Sequence, residues 1–262
     1  MVAVVILAGV LAACAQHKSA DFTTGWRAYQ QGDFAAALIE WRPLAAQGDT
    51  RAQFNLGVMY DEGRGVGEDR KMAIEWWIKA ADGGDAEAQH NLGLAHLFGR
   101  GVELDYGRAI AWLKKASNQG LARSQYNLGK MFSYGLGMDK DDREAFKWIR
   151  MAARSGVHQA QYNLGKIYRD GSGVAKDVNA AARWFLAAAK QGYAKAQNHI
   201  GVRLAWGEGI EKNEIEALKW LILAVQGGHN LAQKNKKELA AKLTPQARSQ
   251  ANALARNWKP EK

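Results

Sequence analysis

An asparagine that recurs every 36 residues is the most regular residue whose type and spacing point to a binding function. It is the fourth residue of the segment Ala-Gln-x-Asn-Leu-Gly. On a helix, this asparagine lies on one stripe with the residue four positions before it and the residues three and seven positions after it. The stripe combines a constant amide with neighbours that are polar, charged or aromatic. We predict that it binds a partner through Asn55, Asn91, Asn127, Asn163, Lys130, Lys166, Phe98 and Tyr134. The alternative is that each asparagine joins neighbouring helices.

No side chains in the sequence have the spacing of a catalytic or metal site. His90 and His96 are six residues apart, which does not place both on one face of a helix. The Gly-x-Gly segments recur as turns and lack the pattern of a phosphate-binding loop, and no carboxylate pair stands out for acid–base chemistry. We therefore expect structural or surface histidines, no metal, no cofactor and no enzymatic activity.

The single cysteine, Cys14, follows an apolar run at residues 1–10. This run is too short for a membrane span of about 20 residues and has the form of a secretory signal. Leu-Ala-Ala-Cys at residues 11–14 resembles the bacterial lipobox, which implies cleavage before Cys14 and lipidation of this residue. By the same resemblance, Ala15 implies sorting to the outer membrane, facing the periplasm. The alternative is an ordinary cleaved signal and a secreted or periplasmic soluble protein.

The formal charge of +10 is concentrated near the end of the sequence. Residues 230–262 contain eight Lys or Arg and two Glu, so +6 of this charge lies there. The rest of the chain is only mildly basic, which argues against nucleic-acid binding. We interpret the basic region as a solvated helix face; the alternative is a contact with anionic lipid or polysaccharide, which salt would weaken.

Five units that keep one 36-residue register indicate a repeat array. Each unit begins with an apolar stripe of helical period that ends at a Gly-x-Gly loop. Asp69 or its equivalent then supplies an N-cap. A second stripe of helical period, which contains Ala and Trp, follows. Each unit is thus predicted to be two helices joined by a turn. A glycine inside a helix costs about 1 kcal/mol relative to alanine, so the recurrence of Gly57 predicts close helix contact. The recurrence of Trp76 predicts core packing.

The full pattern is Ala-Gln-x-Asn-Leu-Gly-x-Met-Tyr-x-x-Gly-x-Gly-Val, followed by Ala-x-x-Trp and Ala-Ala-x-x-Gly. It resembles the Sel-one-like repeat family, whose members are relatives of the tetratricopeptide repeats. The resemblance implies an all-α fold, a right-handed α-solenoid of tandem helix–turn–helix repeats. The expected divisions are a signal peptide at 1–13, a lipid-anchored tether at 14–21, a degenerate tetratricopeptide-like unit at 22–51, five repeats at 52–229 and basic capping helices at 230–262.

In tetratricopeptide-like superhelices the first helices line a concave groove, where asparagines hold an extended peptide by its backbone. The resemblance therefore implies that the asparagine stripe faces a groove. We expect a non-catalytic scaffold or adaptor of the bacterial cell envelope that binds a protein partner and contacts the membrane through its lipid anchor. The alternatives are a structural envelope component that contacts anionic lipid or polysaccharide, and an enzyme acting on the cell wall.

Overall fold

The computed structural model describes residues 20–261, so the predicted signal at 1–13 and Cys14 lie outside the described residues. Within this range the chain forms helices and no strands, as the predicted all-α solenoid requires. The helices are α1 (Phe22–Gln30), α2 (Phe34–Ala46), α3 (Thr50–Glu62), α4 (Arg70–Asp82), α5 (Ala86–Phe98), α6 (Tyr106–Asn118), α7 (Ala122–Tyr134), α8 (Asp142–Arg154), α9 (His158–Asp170), α10 (Val178–Lys190), α11 (Ala194–Trp206), α12 (Glu214–Gln226), α13 (Leu231–Lys242) and α14 (Pro245–Asn257).

Each repeat is a helical hairpin whose ends are set by local chemistry. Helix α3 ends at Gly63, whose φ of +66° lies in the left-handed region that favours glycine. The second helix of the unit, α4, begins after Asp69, whose carboxylate accepts hydrogen bonds of 3.0 Å from the backbone N–H groups of Lys71 and Met72. The predicted cap positions at the equivalents of Asp69 all accept such bonds from the first turn of the second helix.

The recurring glycine of the first helix lies against the second helix, as predicted. A methyl group added at Gly165 would lie 2.8 Å from two ring carbons of Phe185, closer than side chains pack. The other repeats place a large apolar residue at the same position of the second helix. The glycines Gly57, Gly93, Gly129, Gly165 and Gly201 thus face Trp77, Leu113, Ile149, Phe185 and Leu221.

The tryptophan row is less deeply buried than its recurrence predicts. Trp148 and Trp220 are buried, whereas Trp76, Trp112 and Trp184 are only half-buried. The residue one position further along the helix points at the packing glycine and is more buried than the tryptophan in all five repeats. The half-buried tryptophans pack at the edge between successive core clusters, where Lys79 and Lys115 cover the rings of Trp76 and Trp112 at 4.1 Å.

A row of buried glutamines connects each repeat to the preceding one. The side-chain amide of Gln161, in α9, donates to the backbone carbonyl of Ala153 in α8 over 3.3 Å. Such a bond satisfies both a buried amide and a carbonyl at the end of the preceding helix. The same bond is made by Gln53, Gln89, Gln125 and Gln197.

Additional helices cover both ends of the array, as a solenoid requires. At the N-terminal end, α1 and α2 form a shortened hairpin around the fully buried Trp41. At the C-terminal end, α14 packs on α12, and the hydroxyl of Thr244 caps α14 by accepting a hydrogen bond from the N–H of Ala247. Ala251 and Ala255 form the buried face of α14. Leu254 lies off this stripe and is 37% exposed.

Candidate binding face of the first helices

The predicted site residues lie on α3, α5, α7 and α9, which with α11 are the first helices of the five hairpins. We call the shared surface of these five helices the first-helix face. The four asparagines are half-buried, but their partners differ. Asn55 donates to the carbonyl of Arg51 in its own helix (2.7 Å), and Asn163 donates to the hydroxyl of Tyr126 in α7 (3.0 Å). Within residues 20–261, Asn91 and Asn127 make no side-chain hydrogen bond. The ladder therefore combines one contact between repeats with two free amides.

The contact between Asn163 and Tyr126 recurs further along the array with other residues. The hydroxyl of Tyr162 lies 3.4 Å from Nε2 of His199, and the amide of Asn235 donates to Asn198 over 2.8 Å. Each pair joins one first helix to the next across 37 positions of sequence. From α9 onward, the ladder position thus links neighbouring repeats, which is the alternative that the sequence left open.

Three equivalent clefts open between consecutive first helices, each with a second helix as its floor. They lie between α3 and α5, between α7 and α9, and between α11 and α13, with volumes of about 110, 200 and 250 Å³. A ladder asparagine lines each cleft: Asn91, Asn163 and Asn235 in that order. Similar cavities therefore recur along one face with a spacing of 72 residues, which is two repeats.

The α7/α9 cleft brings together four of the eight predicted residues: Lys130, Tyr134, Asn163 and Lys166. The other predicted residues lie elsewhere. Asn91 lines the α3/α5 cleft, Asn55 lies in an apolar pocket beside α1, and Phe98 is 57% exposed with the guanidinium of Arg100 over its ring. Asn127 lines none of these cavities.

The charges in the α7/α9 cleft leave two lysines available. The carboxylate of Asp142 pairs with Lys140 (3.0 Å), and that of Asp170 pairs with Arg169 (2.7 Å), which lowers the pKa of Asp170. Lys130 and Lys166 form no ion pair with any residue in the described range, although Lys130 lies 5.7 Å from the ring of Tyr126. With Tyr134 70% exposed beside them, the cleft offers positive charge and an aromatic ring to solvent.

His90 and His199 take structural positions. His90 is buried and its Nδ1 lies 2.7 Å from the hydroxyl of Ser124, and burial lowers its pKa to about 4. Burial also lowers the pKa of His199 to about 4, with smaller contributions from nearby cations such as Arg169 and Arg203. Both imidazoles are therefore neutral at neutral pH. In the part of the chain that the structure describes, no cluster of His, Cys, Asp and Glu is arranged to hold a metal ion.

Two features of this face were not predicted from the sequence. The first is the pocket beside α1, of about 290 Å³, lined by Phe22, Trp26 and Phe54. The sequence signal for this pocket was the pair of aromatic residues Phe22 and Trp26. They lie in the degenerate N-terminal unit, where the repeat pattern does not indicate which residues face the surface. The second is Arg203, which occupies a repeat position that is apolar in the other hairpins. Comparison of the repeats position by position would have identified it.

The hairpins, their shared register and their repeated clefts define an α-solenoid of tandem repeats. Five consecutive segments match the family model described as Sel1 repeat, at residues 50–85, 86–121, 122–157, 158–193 and 194–229. The chain therefore belongs to the Sel1 repeat family, whose members are generally protein-interaction scaffolds and typically non-catalytic. A search of curated proteins found no match.

Solved structures with similar folds include other Sel1 repeat proteins. One from Oxalobacter formigenes is 30% identical, with a TM-score of 0.78 over 90% of this chain and 98% of that chain. A putative Sel1 repeat protein from Klebsiella pneumoniae is 25% identical, with a TM-score of 0.47 over 76% of this chain and 97% of that one. A protective antigen from uropathogenic Escherichia coli is 26% identical, with a TM-score of 0.43 over 89% of this chain and 67% of that chain.

Among residues 20–261, no helix has both the length and the apolarity to cross a bilayer.

Proposed function

We propose that this protein is a non-catalytic scaffold of the bacterial cell envelope that binds a segment of a partner protein on its first-helix face. The α7/α9 cleft is the observation that carries the proposal. It combines two lysines that have no ion-pair partner among residues 20–261, an exposed tyrosine and a half-buried asparagine. Its lining is mostly polar, with Ala145, Ile149 and Ile167 as the apolar part, and clefts in which polar groups converge are typical binding sites.

The repetition of the clefts favours an extended partner. A chain segment that lies along the first-helix face can enter successive clefts, and the free amides of Asn91 and Asn127 are available to its backbone. Each such hydrogen bond contributes about 0.5–1.5 kcal/mol. A folded partner with a flat surface would not reach the floors of these clefts.

The test compares partner capture by wild type and by a variant with Lys130→Glu and Lys166→Glu. Both proteins are crosslinked in intact cells, and their adducts are identified by mass spectrometry. The charge reversals should remove the main wild-type adduct, because both side chains lie at the cleft. Lys71→Glu with Lys114→Glu, two exposed positions on second helices, makes the same change of charge and should retain the adduct. Equal loss in both variants would contradict the proposal.

The envelope location depends on the lipobox-like segment at residues 11–14. We propose that Cys14 carries the lipid, and that Ala15 directs the protein to the outer membrane, facing the periplasm. Labelling cells with a radioactive fatty acid should mark the wild type and leave Cys14→Ser unlabelled, and only the wild type should fractionate with membranes. Equal labelling of the two proteins, or of neither, would contradict the anchor.

A second candidate function is a direct contact between the C-terminal helices and anionic lipid or polysaccharide. The observation in its favour is that Lys234, Lys237, Arg248 and Arg256 are all exposed on α13 and α14. If it holds, the protein should sediment with phosphatidylglycerol vesicles at low ionic strength and be released as salt approaches about 0.15 M, where exposed charges are screened within about 8 Å. No sedimentation at low salt would exclude it.

A further inference from the structure

The α7/α9 cleft differs from the other two clefts at one position of the first helices. This position carries Lys130 on α7 and Lys166 on α9, and both side chains line the cleft. Its equivalents in the α3/α5 and α11/α13 clefts, shifted by 72 residues in either direction, are Val58, Leu94, Val202 and Glu238. Among the three clefts, only the one between α7 and α9 therefore has two cations at this position.

The two lysines are half-buried and have no anionic partner in the part of the chain that the structure describes. Asp142, which lines the cleft, pairs with Lys140 over 3.0 Å. Asp170, which also lines it, accepts hydrogen bonds of 2.7 and 2.8 Å from Arg169. These bonds lower the pKa of Asp170 more than the charge of Lys166 does, which lies beyond ion-pair distance. Because a partly buried charge is unfavourable without a counter-charge, the cleft favours an anion from outside the chain.

The cleft is accessible to an anionic side chain and has a neutral donor beside the lysines. Its volume of about 200 Å³ is several times the ~30 Å³ that one water molecule occupies in the liquid, so a carboxylate on a short side chain fits. Tyr134, which lines the cleft, is 70% exposed. The side-chain amide of Asn163 has two N–H groups. Tyr126 accepts one hydrogen bond from this amide, which leaves the other N–H for a carboxylate.

We propose that the α7/α9 cleft binds an Asp or Glu side chain of the partner segment, whose carboxylate lies between the ammonium groups of Lys130 and Lys166 and accepts a hydrogen bond from Asn163. The inference rests on the proposed function, because it assigns an acidic residue to the segment bound on the first-helix face. Hydrogen bonds between an ammonium and a carboxylate are roughly twice as strong as neutral ones. The position of the two lysines thus sets which side chain a cleft accepts, and the α3/α5 cleft, with Val58 and Leu94 there, lacks the cation pair.

Two pairs of substitutions remove the charges of the cleft. Lys130→Val with Lys166→Leu introduces the residues that the same position has in the α3/α5 cleft, so this variant should fold with a melting temperature close to that of wild type. Lys130→Gln with Lys166→Gln removes the same charges and keeps polar side chains. Because one pair is apolar and the other polar, an effect on binding that both share is due to the loss of charge.

Two control pairs remove the same number of charges elsewhere. Lys71→Gln with Lys114→Gln changes exposed residues of second helices. Lys237→Gln with Arg256→Gln changes exposed residues of the basic C-terminal helices. The second control measures how far the net charge of +10 alone attracts an acidic peptide.

The probe is a fluorescein-labelled hexaglutamate peptide, compared with a hexaglutamine peptide of the same length by fluorescence anisotropy on the full chain. Wild type should bind hexaglutamate in preference, and added salt should weaken this binding. Both cleft variants should weaken it about tenfold or more, whereas each control pair should change it by less than about twofold. Sedimentation of the same variants with phosphatidylglycerol vesicles distinguishes a peptide carboxylate from a lipid phosphate.

Four results would overturn the inference. The first is hexaglutamate binding that both cleft variants leave within about twofold of wild type. The second is an equal loss of binding in a control pair, which would assign the binding to net charge. The third is a melting temperature that falls in both cleft variants, which would assign the lysines to structure. The fourth is binding to vesicles that depends on the two lysines without binding to the peptide, which would assign the cleft to lipid headgroups.

Crosslinking in intact cells separates this inference from the proposed function. If the partner segment is acidic, Lys130→Gln with Lys166→Gln should remove the main wild-type adduct, as the change of both lysines to glutamate does. An adduct that survives the glutamine pair but not the glutamate pair would overturn the acidic residue and leave the proposed function standing. An adduct that survives both pairs would contradict the proposed function itself.

Discussion

Replacing Asn163 and Asn127 separately by alanine distinguishes a link between repeats from a binding group. Both residues occupy the same position of the first helix, but Asn163 donates to Tyr126 over 3.0 Å and Asn127 makes no hydrogen bond in the described range. Alanine has a higher helix propensity than asparagine, by up to about 0.7 kcal/mol, so this effect stabilises both variants to the same extent. Only Asn163→Ala also loses a hydrogen bond, at about 0.5–1.5 kcal/mol. Asn163→Ala should therefore be less stable than Asn127→Ala by about 1 kcal/mol.

A double-mutant cycle isolates this contact. Tyr126→Phe removes the acceptor oxygen and keeps the ring, so the coupling energy between Tyr126→Phe and Asn163→Ala should be about 0.5–1.5 kcal/mol. Urea melts followed by circular dichroism measure the four free energies, and thermal melts should show Asn163→Ala about 2–4 °C below Asn127→Ala. A coupling energy below about 0.3 kcal/mol, or equal melting temperatures for the two alanine variants, would refute the assignment of Asn163 as a link between repeats.

Three further predictions follow from packing and protonation. Trp148→Ala empties a buried aromatic site and should destabilise the fold by about 3–5 kcal/mol in denaturant melts; a loss below about 1 kcal/mol would show that the ring contributes little. Gly165→Ala forces a methyl group against Phe185 and should cost about 1–3 kcal/mol, whereas Gly67→Ala, with no atom within 4 Å of the added methyl group, should be tolerated. Folded His90 stays neutral down to about pH 4, and unfolded His90 takes up a proton near pH 6.5. The unfolded state thus binds more protons between these values, so stability should fall by up to about 3 kcal/mol as the pH is lowered through this window; urea melts of His90→Gln should lack this part of the pH dependence.

The helices and their order were predictable because they depend on local chemistry that recurs. The Asp69 cap, the Gly63 turn and the apolar stripes act within one hairpin, and the 36-residue register repeats them. The packing of Gly165 was likewise predictable, because a glycine inside a helix has a cost that close contact offsets. The residue that packs against Gly165 was not predictable, because Trp184 and Phe185 are adjacent. Only the rotation of the second helix about its axis decides which of the two rings faces the glycine.

The candidate site was less predictable because it depends on contacts between repeats. The bond between Asn163 and Tyr126 joins residues 37 positions apart, and whether they meet depends on the relative placement of α7 and α9. Similarly, the sequence placed Lys166 on the stripe, but only the structure shows that Asp170 pairs with Arg169 and that Lys166 has no ion-pair partner in the part of the chain that the structure describes. Side-chain periodicity identifies the face, whereas the pairing of charges on it requires the fold.

Site-specific photocrosslinking in intact cells tests the central claim most directly. The photoreactive residue p-benzoylphenylalanine replaces Tyr134, which is 70% exposed beside the α7/α9 cleft, or Met151, which is 38% exposed on the second helix α8. If the first-helix face binds a partner protein, irradiation should give a discrete adduct from position 134 and none from position 151. The adduct should disappear when Lys130 and Lys166 are changed to glutamate. The same adducts from both positions, or an adduct from position 151 alone, would contradict the account.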